Sequence, residues 1–170
     1  SSTSRGLGDV YKRQIINIGT YLRASEVDAH VQHFIETGAC GRPYTPAPRV
    51  QIVSLGAGSD TRFWRLRHAR LARYVELDFP STTSQKAAAI HAHPALRHAL
   101  EDARVTADGL VSSPYVLLGI DIRTLPHGTW QRVATYLDPA LPTLLLCECV
   151  LAYMDIEVAN AALRLSLIHI

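Results

Sequence analysis

The order of its apolar runs predicts for this sequence an α/β fold: a doubly wound, mostly parallel sheet with helices on both faces. Three observations carry that reading. Four apolar runs of strand length, at 50–55, 74–77, 115–120 and 142–147, alternate with stretches of helical period. The first run is apolar almost throughout, as in a strand covered on both faces, and it breaks off at Gly56-Ala57-Gly58. Each run is followed by a residue suited to a ligand rather than to a core: Gly56, Asp78, Asp121 and Glu148. Ligands of open α/β sheets bind beyond the carboxyl ends of the strands, so these four positions are expected to converge on one crevice.

Taken in order, residues 1–14 are polar and show neither helical nor strand period, and Gly19 to Arg23 reads as a loop or early turn. Ser25-Glu26-Val27-Asp28 resembles a capping-box start, with Val27, Val31, Phe34 and Ile35 on one helix face and Gly38 as the stop. A proline-rich connection at 41–48 leads to the first strand. After the glycine turn, Phe63, Trp64 and Leu71 mark a short helical pattern, and the second strand at 74–77 ends at Asp78. An alanine-rich helix is expected within 80–93, and a second short one at 95–103 behind Pro94. The third strand, 115–120, ends at Asp121; a helix over 128–137 turns Trp130, Val133 and Leu137 inward. The fourth strand, 142–147, places Cys147 and Cys149 on one side around Glu148, and Asp155 caps a last helix through Val158, Ala162 and Leu165. Residues 166–170 leave that pattern without a stop signal. Both ends are therefore expected to be extraneous flanks around a partial domain at 15–165, its sheet truncated after about the fourth strand with an open apolar edge.

Composition narrows the function classes. With 48% apolar and 19% charged residues, 170 residues suffice for one domain with a substantial core. The net charge of +2 is supplied by Arg5, Lys12 and Arg13 against Asp9, so the remainder is formally neutral and no nucleic-acid surface is expected. Three cysteines, Cys40, Cys147 and Cys149, make no disulfide framework and fit a reducing, cytoplasmic setting. No apolar run reaches the roughly 18 residues of a membrane span, and no signal peptide is visible. His30 and His33 sit three apart without a third ligand nearby, so no metal site is expected.

The glycine turn carries the chemistry. Gly56 and Gly58 let the backbone approach a ligand closely, and Asp78 at the next strand end stands where an acid holds two ribose hydroxyls. The third glycine of the dinucleotide fingerprint is replaced by Thr61, which argues against a pyrophosphate cofactor and so against an NAD-dependent oxidoreductase. S-adenosylmethionine, which carries no phosphate, remains compatible.

Gly19-Thr20-Tyr21-Leu22-Arg23, Leu55 to Asp60, Glu76 to Pro80, Gly119 to Arg123 and Cys147 to Met154 stand in the order and spacing of the leucine carboxyl methyltransferases, which this chain resembles over roughly 15–165. The resemblance implies a class I S-adenosylmethionine-dependent methyltransferase fold. It also implies transfer of a methyl group from S-adenosylmethionine to the C-terminal leucine carboxylate of the protein phosphatase 2A catalytic subunit. Carried over, Arg23 binds the methionine carboxylate, Gly56 passes beneath the methionine, and Asp78 holds the ribose. Asp121 and Ile122 meet the adenine, and Glu148 lies near the methionine amino group. No catalytic residue is implied, because the accepting carboxylate is already ionised at neutral pH. Three departures stand out: Ile18 occupies a place where the family pattern has Arg, a cofactor-contacting Lys of the family falls upstream where this chain has only its flank, and the family's further strands and acceptor-binding insertion have no counterpart here. A related methyltransferase of tRNA wybutosine synthesis shares the glycine turn and the Asp-Phe-Pro element, and a non-catalytic fragment is the remaining alternative.

Overall fold

The computed structural model describes residues 7–39, 46–66 and 68–169. Cys40, residues 41–45 of the proline-rich connection, the first six residues and Ile170 lie outside that set, as does the side chain of Leu165. Among the described residues six strands form one sheet. They are β1 (Val50–Leu55), β2 (Leu71–Asp78), β3 (Arg104–Thr106), β4 (Gly109–Val111), β5 (Tyr115–Gly119) and β6 (Thr143–Leu146), in the spatial order β3-β4-β5-β2-β1-β6. β5, β2, β1 and β6 pair parallel, while β3–β4 and β4–β5 are antiparallel. The chain builds outward from β1 through β2 to β5, then returns to add β6 on the other side of β1. The topological switch point therefore falls between β1 and β6.

Alternate residues of the central strands feed two separate cores. Val50, Ile52, Tyr74, Tyr115 and Leu117 face α1 (Leu7–Thr37), α2 (Arg62–Arg65) and α3 (Pro80–Ala92) through Val31, Phe34, Ile35, Phe63, Ala87 and Ile90. Val53, Leu55, Val75, Leu77, Val116 and Leu118 face α5 (Trp130–Ala134) and α6 (Ile156–His169) through Trp130, Val133 and Ala162. Burying each large apolar side chain contributes about 1.5–3 kcal/mol. With both faces covered, β1 is buried at every position, as the near-continuous apolar run requires.

Several expected boundaries shift. α1 runs unbroken from Leu7 to Thr37, so Ser25-Glu26-Val27-Asp28 is helix interior, not a cap, and Gly19 to Arg23 is helical, not a loop. Its periodicity was visible only where it packs: Val31, Phe34 and Ile35 are buried, while Ile15, Ile16, Ile18, Tyr21 and Leu22 are each more than half exposed. Residues 7–14 and 166–169, which show no clear period, belong to α1 and α6. Gly38 does end α1, at φ +75 with its N–H on Phe34 O. α2 is a single turn, and Leu71 opens β2 instead of continuing that helix. The helix expected at 95–103 is only α4 (Pro94–Arg97), because the chain then turns into the β3–β4 hairpin. β6 stops at Leu146, so Cys147 and Cys149 leave the strand; Cys149 adopts φ +53, a left-handed turn uncommon outside glycine. Among the described residues no helix is long and apolar enough to cross a membrane.

Candidate functional site

Gly56 closes β1 and Glu148 follows β6, so the switch point opens between them at the carboxyl edge of the sheet. Two lobes of one cleft meet there, sharing Gly56 and Cys149. The first lobe, about 310 Å³, is mostly apolar: Phe79, Ile120, Ile122, Val150, Tyr153 and Met154 line it beside Asp78 and Asp121. The second, about 470 Å³, is lined by charge and hydroxyls, among them Arg23, Ser54, Asp60, Arg62, Arg65 and Glu148.

The turn between β1 and α2 is tied down from inside. Gly56 and Ala57 donate their N–H groups to Leu77 O at 2.8 and 3.1 Å, Gly58 donates to Asp78 Oδ2 at 2.7 Å, and Asp60 donates to Ala57 O at 2.9 Å. Gly56 and Gly58 have φ of +66 and +50. A Cβ on Gly56 would also collide with the Val150 side chain, whose Cβ lies 2.8 Å from that position, whereas nothing stands within 4 Å of one on Gly58. Gly56 is thus demanded by conformation and packing together, Gly58 by conformation alone. Asp78 accepts from Gly58 and, through Oδ1, from Phe79 N at 2.7 Å. Each carboxylate oxygen keeps a second lone pair for an incoming hydroxyl. Asp121 caps the 3₁₀ turn Ile122–His127 by accepting from Arg123 N, and pairs with the Arg123 guanidinium, whose hydrogen bond holds its carboxyl below the usual range. That guanidinium in turn sits 5.5 Å over the Phe79 ring, making a wall of the apolar lobe.

In the polar lobe, Arg23 reaches from α1 to Glu148 Oε1 at 2.9 Å. Beneath them Arg62, 5% exposed, contacts three carboxylates: Asp28 at 2.6 Å, Asp60 at 2.9 Å and Glu148 at 2.6 Å. Arg65 adds a second bond to Asp28. Burial opposes the Arg62 charge, but Asp60, Asp28 and Glu148 together outweigh it and hold the group above the ordinary arginine value. Glu148 responds the other way: burial raises it, and the bonds from Arg23 and Arg62 carry it below the usual carboxylate range. Both charges are therefore fixed at neutral pH. Behind the turn, Lys86 of α3 bridges Asp60 O at 2.7 Å and the fully buried Glu76 at 2.5 Å.

The structure brings Gly56, Asp78, Asp121 and Ile122 to one lobe and Arg23 and Glu148 to the other; Gly58 lines neither and reaches the cleft only through its bond to Asp78. Arg62, Asp28 and Lys86 were missed. Arg62 had one local signal, an arginine opening the helix directly after the glycine turn; Asp28 and Lys86 reach the site only through tertiary packing. Ile18 is 60% exposed. Cys147 is half-buried, and its burial pushes the thiol up to about 11, so it is protonated at neutral pH.

A cleft at the switch point of a doubly wound sheet, with a glycine turn on one side and an acid at the end of the next strand, is the architecture of an α/β protein of the class I methyltransferase type. The chain belongs to the leucine carboxyl methyltransferase family, whose profile matches residues 6–166. It is similar to leucine carboxyl methyltransferase 1 of Mycosarcoma maydis, 35% identical over 196 aligned positions covering 91% of this chain and 36% of that protein. The corresponding protein of Cryptococcus neoformans is 38% identical over 178 positions, 90% of this chain and 47% of that one. Human tRNA wybutosine-synthesizing protein 4 is 40% identical over 161 positions, 91% of this chain and 23% of that protein. The chain thus spans half or less of the length of these relatives.

Proposed function

We propose that this chain is the cofactor-binding part of an S-adenosylmethionine-dependent carboxyl methyltransferase. Its acceptor in this reading is the C-terminal leucine carboxylate of the protein phosphatase 2A catalytic subunit, and its setting the cytoplasm. One observation carries the reading. The apolar, acid-edged lobe and the lobe bearing Arg23 and Glu148 meet at Gly56, which matches a nucleoside joined to a zwitterionic amino acid. Asp78 offers its free lone pairs to ribose hydroxyls, and Asp121 and Ile122 edge the place for adenine. Arg23 and Glu148 present opposite charges to an α-carboxylate and an α-amino group. S-adenosylmethionine supplies the activated methyl; this chain's residues bind, orient and exclude water. No general base is needed, since the acceptor is an anion.

The relatives' names support the acceptor class, and the 40% match to the wybutosine-synthesizing protein favours a second reading, methylation on tRNA. Calorimetry with S-adenosylhomocysteine tests the cofactor, and labelled methyl transfer tests the acceptor in the protein extended to the length of its relatives. Label entering a peptide with a free C-terminal leucine, and not its amide, is the expected result. Label entering tRNA alone would replace the first reading with the second, and absence of any heat of binding would leave a non-catalytic fragment.

A further inference from the structure

The network behind the glycine turn is not explained by folding alone. Glu76 is fully buried near the end of β2, and its Oε2 accepts from Lys86 Nζ at 2.5 Å and Tyr115 OH at 2.7 Å while Oε1 has no partner among the described residues. A carboxylate so placed is costly, and an apolar pair of the same size would fill the space as well. What the ion pair alone provides is a donor beyond it: Lys86 Nζ continues to the main-chain oxygen of Asp60 at 2.7 Å. Asp60 is the last residue of the turn, and its carboxylate holds Arg62 by the N–H and the guanidinium, with Tyr74 OH at 3.4 Å. The turn is thereby gripped through its side chain from the α2 side and through its backbone from α3.

We propose that Lys86, anchored at its far end by Glu76, is a positioning residue that sets the height of the 56–60 turn and so the floor shared by both lobes of the cleft. The proposal rests on the cofactor reading for its consequence, since a turn displaced from Asp78 opens the Gly58–Asp78 bond and carries Gly56 away from Val150. It does not rest on that reading for its test. Lys86→Met alone leaves Glu76 buried without its cation, so that it must take up a proton or remain an unpaired charge, and either way the fold itself is perturbed. Glu76→Gln with Lys86→Met removes the ion pair as a whole, keeps the volume and an acceptor for Tyr115 OH, and severs the tie to Asp60 O without leaving a buried charge behind.

Hydrogen exchange on the ligand-free full chain separates the two roles. In the double variant the amides of β1 and β2 keep wild-type protection, while the 57–61 segment exchanges on the order of 10- to 100-fold faster, the loss of one charge-assisted hydrogen bond. Glu76→Gln alone retains Lys86 and keeps the segment protected. S-adenosylhomocysteine affinity, read by calorimetry, falls in the double variant by a comparable factor. Wild-type protection of 57–61 in the double variant would overturn the proposal and reduce Lys86 to a counter-ion. If the wild-type chain binds no S-adenosylhomocysteine, the cofactor reading fails, and the exchange data still decide whether Lys86 holds the turn.

Discussion

Glu76→Gln offers a quantitative check on the buried network through its effect on stability against pH. Burial raises the Glu76 carboxyl from 4.5 to about 7, against the pull of Lys86 and Tyr115. Asp60, on the facing loop, adds to the rise. Between pH 4.5 and 7 the unfolded chain has released this proton while the folded chain still holds it. Stability from this group therefore falls as pH rises through that window and levels off above it. At about 1.4 kcal/mol per tenfold change, the span amounts to about 3 kcal/mol. Glutamine does not titrate, so the variant lacks this slope whatever constant offset the amide introduces. Carboxyls held low by their partners, Asp28, Asp121 and Glu148, lose their contribution only below the window, and equally in both proteins. Urea denaturation at pH 4.5, 6, 7 and 8 should show the stability difference moving toward the variant by about 3 kcal/mol, with unchanged m-value. A difference that stays flat across those pH values refutes a buried, raised carboxyl.

Three further outcomes follow from the cleft. Asp78→Ala removes the acceptor for Gly58 N–H and, on the proposed cofactor reading, for the ribose; calorimetry should show S-adenosylhomocysteine bound about 10- to 100-fold more weakly, the loss of one or two hydrogen bonds to a charged group, with the methylated acceptor unchanged in the full-length protein. Gly56→Ala should destabilise by roughly 1–3 kcal/mol through overpacking and a strained φ, and Val150→Ala should recover part of that in a double-mutant cycle, leaving the conformational share. Arg62→Met leaves Asp28, Asp60 and Glu148 facing one another without their shared cation and should lower stability by about 3 kcal/mol; thermal unfolding reads it, and an unchanged Tm would show that Arg23 and Arg65 alone balance the three acids.

The parallel sheet was legible because β1, β2 and β5 are largely buried runs and β6, though only half-buried, is a continuous apolar one, so their pattern needs no partner to be seen. The β3–β4 hairpin escaped because Arg104, Val105 and Thr106 are all exposed and show no alternation, although Asp108-Gly109 is a hairpin signal that was available. The first part of α1 escaped for the complementary reason: among the described side chains, residues 14–23 are all exposed, so no buried face marks them. In the site, the strand-end acids were legible because topology alone carries them to one edge. Arg62 and Lys86 were not, since their partners, Asp28 and Glu148 for one and Glu76 and Asp60 O for the other, become neighbours only when α1, α3 and β6 close around β1.

The same hydrogen bonds support the proposed cofactor class over a pyrophosphate cofactor. A dinucleotide fold aims free N–H groups of its turn, and the positive end of the following helix, at a pyrophosphate. Here Gly56 and Ala57 N–H are spent on Leu77 O, Gly58 on Asp78, Asp60 on Ala57 O and Arg62 on the Asp60 carboxylate. α2 is one turn long and has too little dipole to offer. A phosphate arriving at this turn would meet the carboxylates of Asp78 and Asp60 in place of donors. A ligand with hydroxyls for Asp78, and with its own paired charges for Arg23 and Glu148, meets acceptors and counter-charges already in place. The absent third glycine is then a consequence: with no pyrophosphate to bring the helix close, position 61 is free to be Thr.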